Sequence, residues 1–288
     1  MGAQFNIQKT QAQKALNFKQ LHLSDKLLIL PNIWDVLGAK LLENVGYKAV
    51  ATASASVAFT NGYLDGEKIS FTKVLENLKN ICDSVNLPVT ADIESSYARN
   101  EKELKEHIRL IIKTGVVGIN YEDTDKQNQQ LNTISNQCHQ IKIIRDTANE
   151  MGINLFINAR TDVLLYPSLF QNTEAQHAEL IKRGNEYINA GADCFFPIAL
   201  KNEEVINKLV TSLKAPVNIL AIPGIPAFNS LEKLGVARVS LGPGFLKIAI
   251  KAMKDLAEDL LHQNGYDKIM ENTITTDYLK ELINNGNK

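Results

Sequence analysis

Cysteine is scarce in this chain. Its 288 residues include three, Cys82, Cys138 and Cys194, far apart and odd in number. None forms a CxxC pair, so neither a disulfide framework nor a thiolate zinc site is expected, and a reducing compartment, the cytoplasm, fits best. Long hydrophobic runs are missing: none approaches the roughly 18 residues of a bilayer-spanning helix, so no membrane partner is expected. Charge of one sign is not in surplus either, with Lys+Arg 31 against Asp+Glu 32 and a formal net charge of -1. A nucleic-acid binder needs a basic face, so nucleic acid is not an expected partner. The first twenty residues are polar and lack the apolar centre of a secretory signal. Asn6 stands where myristoylation of Gly2 needs Ser or Thr. A dinucleotide fingerprint is absent too, because the first strand pattern is followed by PNIWDVLGAK rather than Gly-x-Gly-x-x-Gly.

What is present is an alternation. Short apolar runs at 27–31, 48–52, 88–92, 116–120, 154–158, 193–198, 217–221 and 237–241 are of strand length and nearly continuous in hydrophobicity. That suits strands buried on both faces of a parallel sheet. Helical patterns at 36–45, 71–85, 101–114, 135–151, 174–190, 203–213 and 245–262 separate them, several stopped by glycine (Gly46, Gly115, Gly152, Gly191). Eight strands alternating with helices predict a (β/α)8 TIM barrel over 26–262, with an N-terminal helical segment at 1–25 and a C-terminal helical tail at 263–288.

In such a barrel chemistry sits where strands end. Those ends carry Asn32, Ser54-Ala55-Ser56 with Asp65 in the following loop, Asp92 and Glu94, Asn120 and Glu122-Asp123, Asn158, Arg160 and Asp162, then Asn218 and Ser240. Asp65, Asp92, Glu94 and Glu122 form an all-oxygen set without His or Cys. Such a set needs a compensating cation and favours Mg²⁺ or Mn²⁺. Arg160 reads either as an ion-pair partner of these acids or as a bidentate clamp on a substrate anion. Ser54-Ala55-Ser56 reads either as a tight turn or as a cradle for an anion. Asp35 is expected to cap a helix, Trp34 to pack, and all five histidines to lie on the surface, so no histidine base is expected. With no lysine at a strand end, Schiff-base chemistry is not expected. The turns at Pro223–Pro226 and Leu241–Phe245 are a rival phosphate site, weakened by prolines that lack N–H groups.

The runs PNIWD, GYKAVATASASVAFTNGYLDGE, VTADIESSYA, GVVGINYED, FINARTDV, GADCFFP, VNIL and RVSLGPG, in this order over about residues 26–250, resemble the phosphoenolpyruvate mutase / isocitrate lyase superfamily. The resemblance is to its mutase-like branch, beside oxaloacetate decarboxylases and phosphonopyruvate hydrolases. It implies a TIM barrel whose last helix is swapped between subunits of a homodimer or homotetramer. It also implies Mg²⁺ and a small 2-oxo or 2-hydroxy carboxylate, or a phosphonate, whose C–C or P–C bond is broken. By the same resemblance Asp92 is the direct metal ligand, and Asp65, Glu94 and Glu122 act through water. Ser54, Ala55 and Ser56 match the turn that holds the substrate carboxylate and carbonyl oxygen, and Arg160 matches the arginine that binds its anionic group. Asn218, from its place at the seventh strand, is expected to contact substrate as well, and Arg160, Glu122 and Asp65 are the expected catalytic set. The chain departs from the lyases after the fourth strand, where EDTDKQNQQLNTIS replaces their Lys-Lys/Arg-Cys-Gly-His loop. It departs from the mutases at Pro197-Ile198, where they carry histidine. Decarboxylation or C–C cleavage through a metal-stabilised enolate is therefore the expected reaction. P–C hydrolysis or a mutase reaction is the first alternative, and a metabolite-binding barrel without turnover is the second.

Overall fold

The computed structural model describes residues 2–126 and 128–284. The chain opens with helix α1 (Gly2–His22) and then alternates strand and helix. The first barrel strand is split at Pro31 into β1 (Leu28–Leu30) and β2 (Asn32–Ile33). There follow β3 (Val50–Thr52), β4 (Val89–Asp92), β5 (Gly118–Glu122), a small hairpin of β6 (Thr124–Asp125) and β7 (Gln130–Leu131), then β8 (Phe156–Thr161), β9 (Cys194–Pro197), β10 (Asn218–Leu220) and β11 (Arg238–Ser240). All pairings except the hairpin are parallel. The order β2-β3-β4-β5-β8-β9 continues to β10 through a Phe195–Val217 bridge, and β10-β11-β1 returns to the split strand. The ring of pairings is thus complete, and the expected barrel is found.

The helices form where the apolar spacing predicts. In α5 (Glu101–Lys113), Leu104, Ile108, Ile111 and Ile112 make the buried stripe, and Asn100 accepts from the Glu103 amide to start it. In α2 (Val36–Val45), Asp35 accepts from Gly38 N at 2.7 Å, as expected of a cap, and Gly46 ends the helix at φ 101°. The pattern does not predict α3 (Ser54–Thr60), α9 (Phe228–Lys233), the β6–β7 hairpin or the short 3-10 turns Val163–Leu165 and Pro167–Leu169. β5 and β8 also run to Glu122 and Thr161, past their predicted ends at 120 and 158. Polar residues end the apolar run there without ending the strand, because these side chains face the barrel mouth rather than its core.

One apolar cluster fills the space between sheet and helices, and a second closes the barrel floor. In the latter, Ala15 and Phe18 of α1 meet Leu30, Ala51, Phe156 and Cys194. Gly118 is required there, because a Cβ at that position would lie 2.9 Å from the Phe18 ring. His22 belongs to this plug and not to the surface: it is 3% exposed, stacks on Phe156 and bonds through Nδ1 to Phe18 O at 2.9 Å. His107 is likewise no free surface group, since it stacks on Phe71. Apolar neighbours on two elements explain both departures from the surface expectation.

Burial of His22, aided by the charge of Arg238, lowers its pKa to about 3 from an ordinary 6.5. The folded protein therefore holds it neutral, while the unfolded chain takes up a proton below about pH 6.5. This contribution to stability is complete above that pH and is lost as pH falls toward 3, by on the order of 4 kcal/mol. Urea melts of wild type and His22→Gln should differ less at pH 4 than at pH 7.5. A constant difference would show that His22 does not titrate this way.

The last long helix, α10 (Gly244–Leu261), is unlike the others. It buries only Leu246, and Ile248, Ile250, Met253 and Leu261 are exposed. After it come α11 (Tyr266–Met270) and α12 (Thr276–Asn284); α12 returns to α2, where Leu282 is buried and Lys40 Nζ donates to Ile283 O at 3.0 Å. Among the described residues no helix is long and apolar enough to cross a membrane.

Candidate active site

The C-terminal ends of β3, β4, β5 and β8 bring the predicted acids and Arg160 together. Parallel register aligns Asp92 with Asn120 and Glu122 with Arg160, so side chains far apart in sequence face the same mouth. Asp92 is anchored on one side. Its Oδ2 accepts from Ser54 N at 3.1 Å and Ser54 Oγ at 2.9 Å, and its own N–H donates to Thr52 Oγ1 at 3.0 Å. Asp92 Oδ1 is buried with no hydrogen-bond partner among the described residues.

Glu94 is 3% exposed. Its Oε1 accepts from Glu67 N at 2.9 Å, and its Oε2 lies 3.6 Å from Lys126 Nζ. Burial and the neighbouring Asp65 charge push its carboxyl up to about 7. Glu122 is 1% exposed and is flanked by two cations: Arg160 Nη1 at 3.0 Å, and Lys126 in direct ion-pair contact. Burial pushes the Glu122 carboxyl upward against the pull of Arg160. Burial of the Lys126 ammonium works against its charge, but Glu122 and Glu94 together outweigh it, so its pKa is raised. Asp65 sits on an exposed loop, yet desolvation of its carboxyl and the charge of Asp92 raise its pKa too. Each of these acids resists ionisation without added positive charge.

Arg160 is held from two sides, by Glu122 and by Asp162 Oδ1 at 2.6 Å from its Nε. Asp162 is itself fixed by Thr124 Oγ1 at 2.7 Å and by its own N–H, which donates to Asp123 Oδ1 at 2.9 Å. The ion-pair reading of Arg160 thus holds. Arg160→Lys keeps the charge but loses the planar fork, and oxalate binding should weaken by about 1.5–3 kcal/mol. Calorimetry showing wild-type oxalate affinity in the variant would restrict Arg160 to ion pairing.

Other predicted residues are placed differently. Ser54-Ala55-Ser56 is not a simple turn but the start of α3. Ser54 is spent on Asp92, and Ser56 Oγ is buried with no partner among the described residues. Asn218 lies at the beginning of β10, level with Arg238, so it sits in the barrel interior below the mouth rather than at a strand end. The rival phosphate turn is also occupied: Asn32 Oδ1 accepts from Leu241 N at 2.8 Å and Gly242 N at 3.0 Å.

Two residues escaped the sequence reading. Lys126 lies in the loop after β5, outside the strand ends where a lysine was sought. Glu67 has no motif of its own, yet its Oε1 accepts from Ser95 N, Ser95 Oγ and Tyr97 N at 3.1, 2.7 and 2.9 Å. It thereby holds a turn in which Glu94, Ser96 and Tyr97 have φ of 51°, 79° and 60°, with Glu67 itself at 59°. Non-glycine residues in this region are strained and cluster at functional sites. Sequence offers no signal for them, since the usual marker, glycine, is absent.

Among the described residues no three His, Cys, Asp or Glu side chains close around a point as a ready cage for a metal. The geometry offers instead buried carboxylate oxygens without hydrogen-bond partners among the described residues on Asp92, Glu94 and Glu122, those of the two glutamates facing Lys126 or Arg160.

Residues 18–261 match the family model described as phosphoenolpyruvate phosphomutase. The chain belongs to that family. A 2-methylisocitrate lyase of Halalkalibacterium halodurans is 25% identical, covering 96% of this chain and 91% of its own. Oxaloacetate decarboxylase 1 of Pseudomonas fluorescens is 26% identical over 83% of this chain and 82% of its own. A solved structure from Burkholderia cenocepacia J2315 superposes with a TM-score of 0.82 at 32% identity, covering 86% of this chain and 98% of that one. The family thus includes carbon–carbon lyases and decarboxylases alongside mutases.

Proposed function

We propose that this barrel is a Mg²⁺-dependent (or Mn²⁺-dependent) enzyme that cleaves a carbon–carbon bond in a small 2-oxo or 2-hydroxy carboxylate, in the manner of a decarboxylase or lyase. The observation that carries the reading is the buried, unpartnered Oδ1 of Asp92 beside Glu94 and Glu122 at the barrel mouth. An all-oxygen donor set with few direct protein ligands suits Mg²⁺, which keeps several waters. Asp92 would hold the cation, with Glu94, Glu122 and Asp65 behind water. When bound, the cation supplies Lewis-acid stabilisation of negative charge developing on the 2-oxo oxygen. Arg160 binds and orients the substrate's anionic group, and Glu122 and Asp162 keep its guanidinium in plane. Ala55 and the backbone at the start of α3 line the same mouth, and Asn218 supports it from below.

The residues after β5 disfavour lyase chemistry that needs a thiol acid. Cys138 lies on α6 (Ile134–Glu150), where its Sγ donates to Glu186 O at 3.4 Å, and burial raises its pKa. Isocitrate should therefore yield no glyoxylate and methylisocitrate no pyruvate. Cys138→Ser should be silent in the reaction that does occur. Robust isocitrate cleavage lost in Cys138→Ser would refute the assignment.

The deciding assay supplies Mg²⁺ and reads pyruvate from oxaloacetate, phosphonopyruvate and 2-methylmalate-type acids. Pyruvate from oxaloacetate supports the reading. Pyruvate with phosphate from phosphonopyruvate replaces it with P–C hydrolysis, and tight binding without turnover makes the barrel a metabolite binder. We further propose a cytoplasmic homodimer or homotetramer in which α10 is exchanged between subunits. The exposed Ile248, Ile250, Met253 and Leu261 support that arrangement. The proposed division is an N-terminal segment at 1–25, a catalytic barrel at 26–262 and a tail at 263–288.

A further inference from the structure

Below Asp92 the barrel holds a charge that no carboxylate contacts. Arg238 is 0% exposed. Its Nε donates to Ser240 Oγ at 3.0 Å and its Nη2 to Asn120 Oδ1 at 3.4 Å, while Nη1 is buried with no partner among the described residues. Burial lowers its pKa to about 10, so it stays cationic at neutral pH. Buried arginines ordinarily sit against carboxylates, because an unanswered charge is costly. Here the Asp92 charge acts on Arg238 without an ion-pair contact, a costly arrangement of the kind found at functional sites.

Its contacts show what it does. Asn120 Oδ1 accepts both from Arg238 and from Asn158 Nδ2, the latter at 2.7 Å. Two donors fix the orientation of the Asn120 amide, so its NH₂ group must turn away from them. Asn120 is the register partner of Asp92. That register sets Asn120 on the strand next to Asp92, at the same level of the barrel.

We infer that Arg238 is a positioning residue for the anionic ligand. It locks the Asn120 amide with its donor group toward the mouth, and it places a positive charge beneath the ligand's carboxylate. This rests on the reading of the mouth as a 2-oxo carboxylate site. Oxalate, a planar dianion resembling an enolised 2-oxo acid, is the probe.

Calorimetry of the full chain in saturating Mg²⁺ gives oxalate affinity, Mn²⁺ titration alone gives cation affinity, and thermal melts report the fold. Arg238→Met should melt no lower than wild type, keep its Mn²⁺ affinity and lose at least tenfold in oxalate affinity. A purely structural arginine would show the reverse, a lowered melt with unchanged affinity in the folded fraction, and that overturns the inference. Should Arg238→Met fail to fold, Asn120→Asp decides the matter, because it keeps an oxygen for Arg238 and Asn158 but removes the donor. Oxalate affinity reduced tenfold or more in a folded Asn120→Asp protein supports the inference, and wild-type affinity overturns it. If wild type itself does not bind oxalate with Mg²⁺, the reading of the mouth falls first. If wild type binds and the variants bind equally well, only the role of Arg238 falls.

Discussion

Asp92→Ala is expected to abolish Mg²⁺ binding and turnover while leaving the melting temperature unchanged or raised. The carboxylate has one oxygen tied to Ser54 and one open, and it adds negative charge to a cluster already containing Asp65, Glu94 and Glu122. Removing it relieves repulsion and leaves no large cavity, because Asp92 is only half-buried at the rim. Loss of a charged ligand and of the cation's contribution to catalysis amounts to several kcal/mol, about a hundredfold or more in rate. Calorimetry with Mg²⁺ is the direct check, and unchanged affinity in the variant would remove Asp92 from the metal site. Lys126→Met provides the complementary result. Its ammonium is the cation that Glu94 and Glu122 share in this structure, so its removal should tighten Mn²⁺ binding. Weaker binding would mean that Lys126 organises the acids rather than competing for them.

The barrel and the acids were legible in the sequence for one reason: both depend on local pattern. Continuous apolar runs, glycine helix stops and polar strand ends are all written within a few residues of each other. Asp92, Glu94, Glu122 and Arg160 could be placed at one mouth because a parallel barrel sends all its strand ends to the same side. What could not be read depends on partners distant in sequence. Glu67 acquires its role only where the loop after α3 meets the turn after β4, with Ser95 28 residues away. His22 is buried only because α1 folds under the barrel against Phe156. Asn218 sits among strand-end residues in the pattern, yet register with Arg238 sets it one layer deeper. Lys126 was visible as a residue, but its contact with Glu122 follows from the path of the β6–β7 hairpin, which no propensity marks.

The sharpest contrast within the NYED motif is between neighbours. Glu122 faces the mouth, whereas Asp123 points the other way and is 0% exposed. Four donors already satisfy Asp123. Oδ2 accepts from Arg183 Nη1 at 2.8 Å, Tyr187 Oη at 2.7 Å and Thr161 Oγ1 at 2.6 Å, and Oδ1 accepts from Asp162 N at 2.9 Å. It ties β5 to β8 and to α7 (Thr173–Asn189), and through Asp162 it sets the position of Arg160. Asp123→Ala would remove the fully buried partner of the Arg183 guanidinium, 6% exposed, and leave it Glu179 Oε1 at 2.9 Å and Tyr187 Oη at 2.9 Å. Breaking a buried pair on one side costs about 3–5 kcal/mol, a large fraction of the roughly 5–15 kcal/mol of a typical domain. Chemical denaturation should show that loss for Asp123→Ala and none for Asp92→Ala. Oxalate affinity in whatever Asp123→Ala remains folded should fall as well, because Arg160 loses the support of Asp162. A stable Asp123→Ala protein would mean that Arg183 finds another acceptor, and the acids at the end of β5 would then have to be assigned afresh. The motif therefore pairs an acid fixed by four hydrogen-bond donors with one that faces the mouth against Arg160 and Lys126, and the proposed chemistry uses only the second.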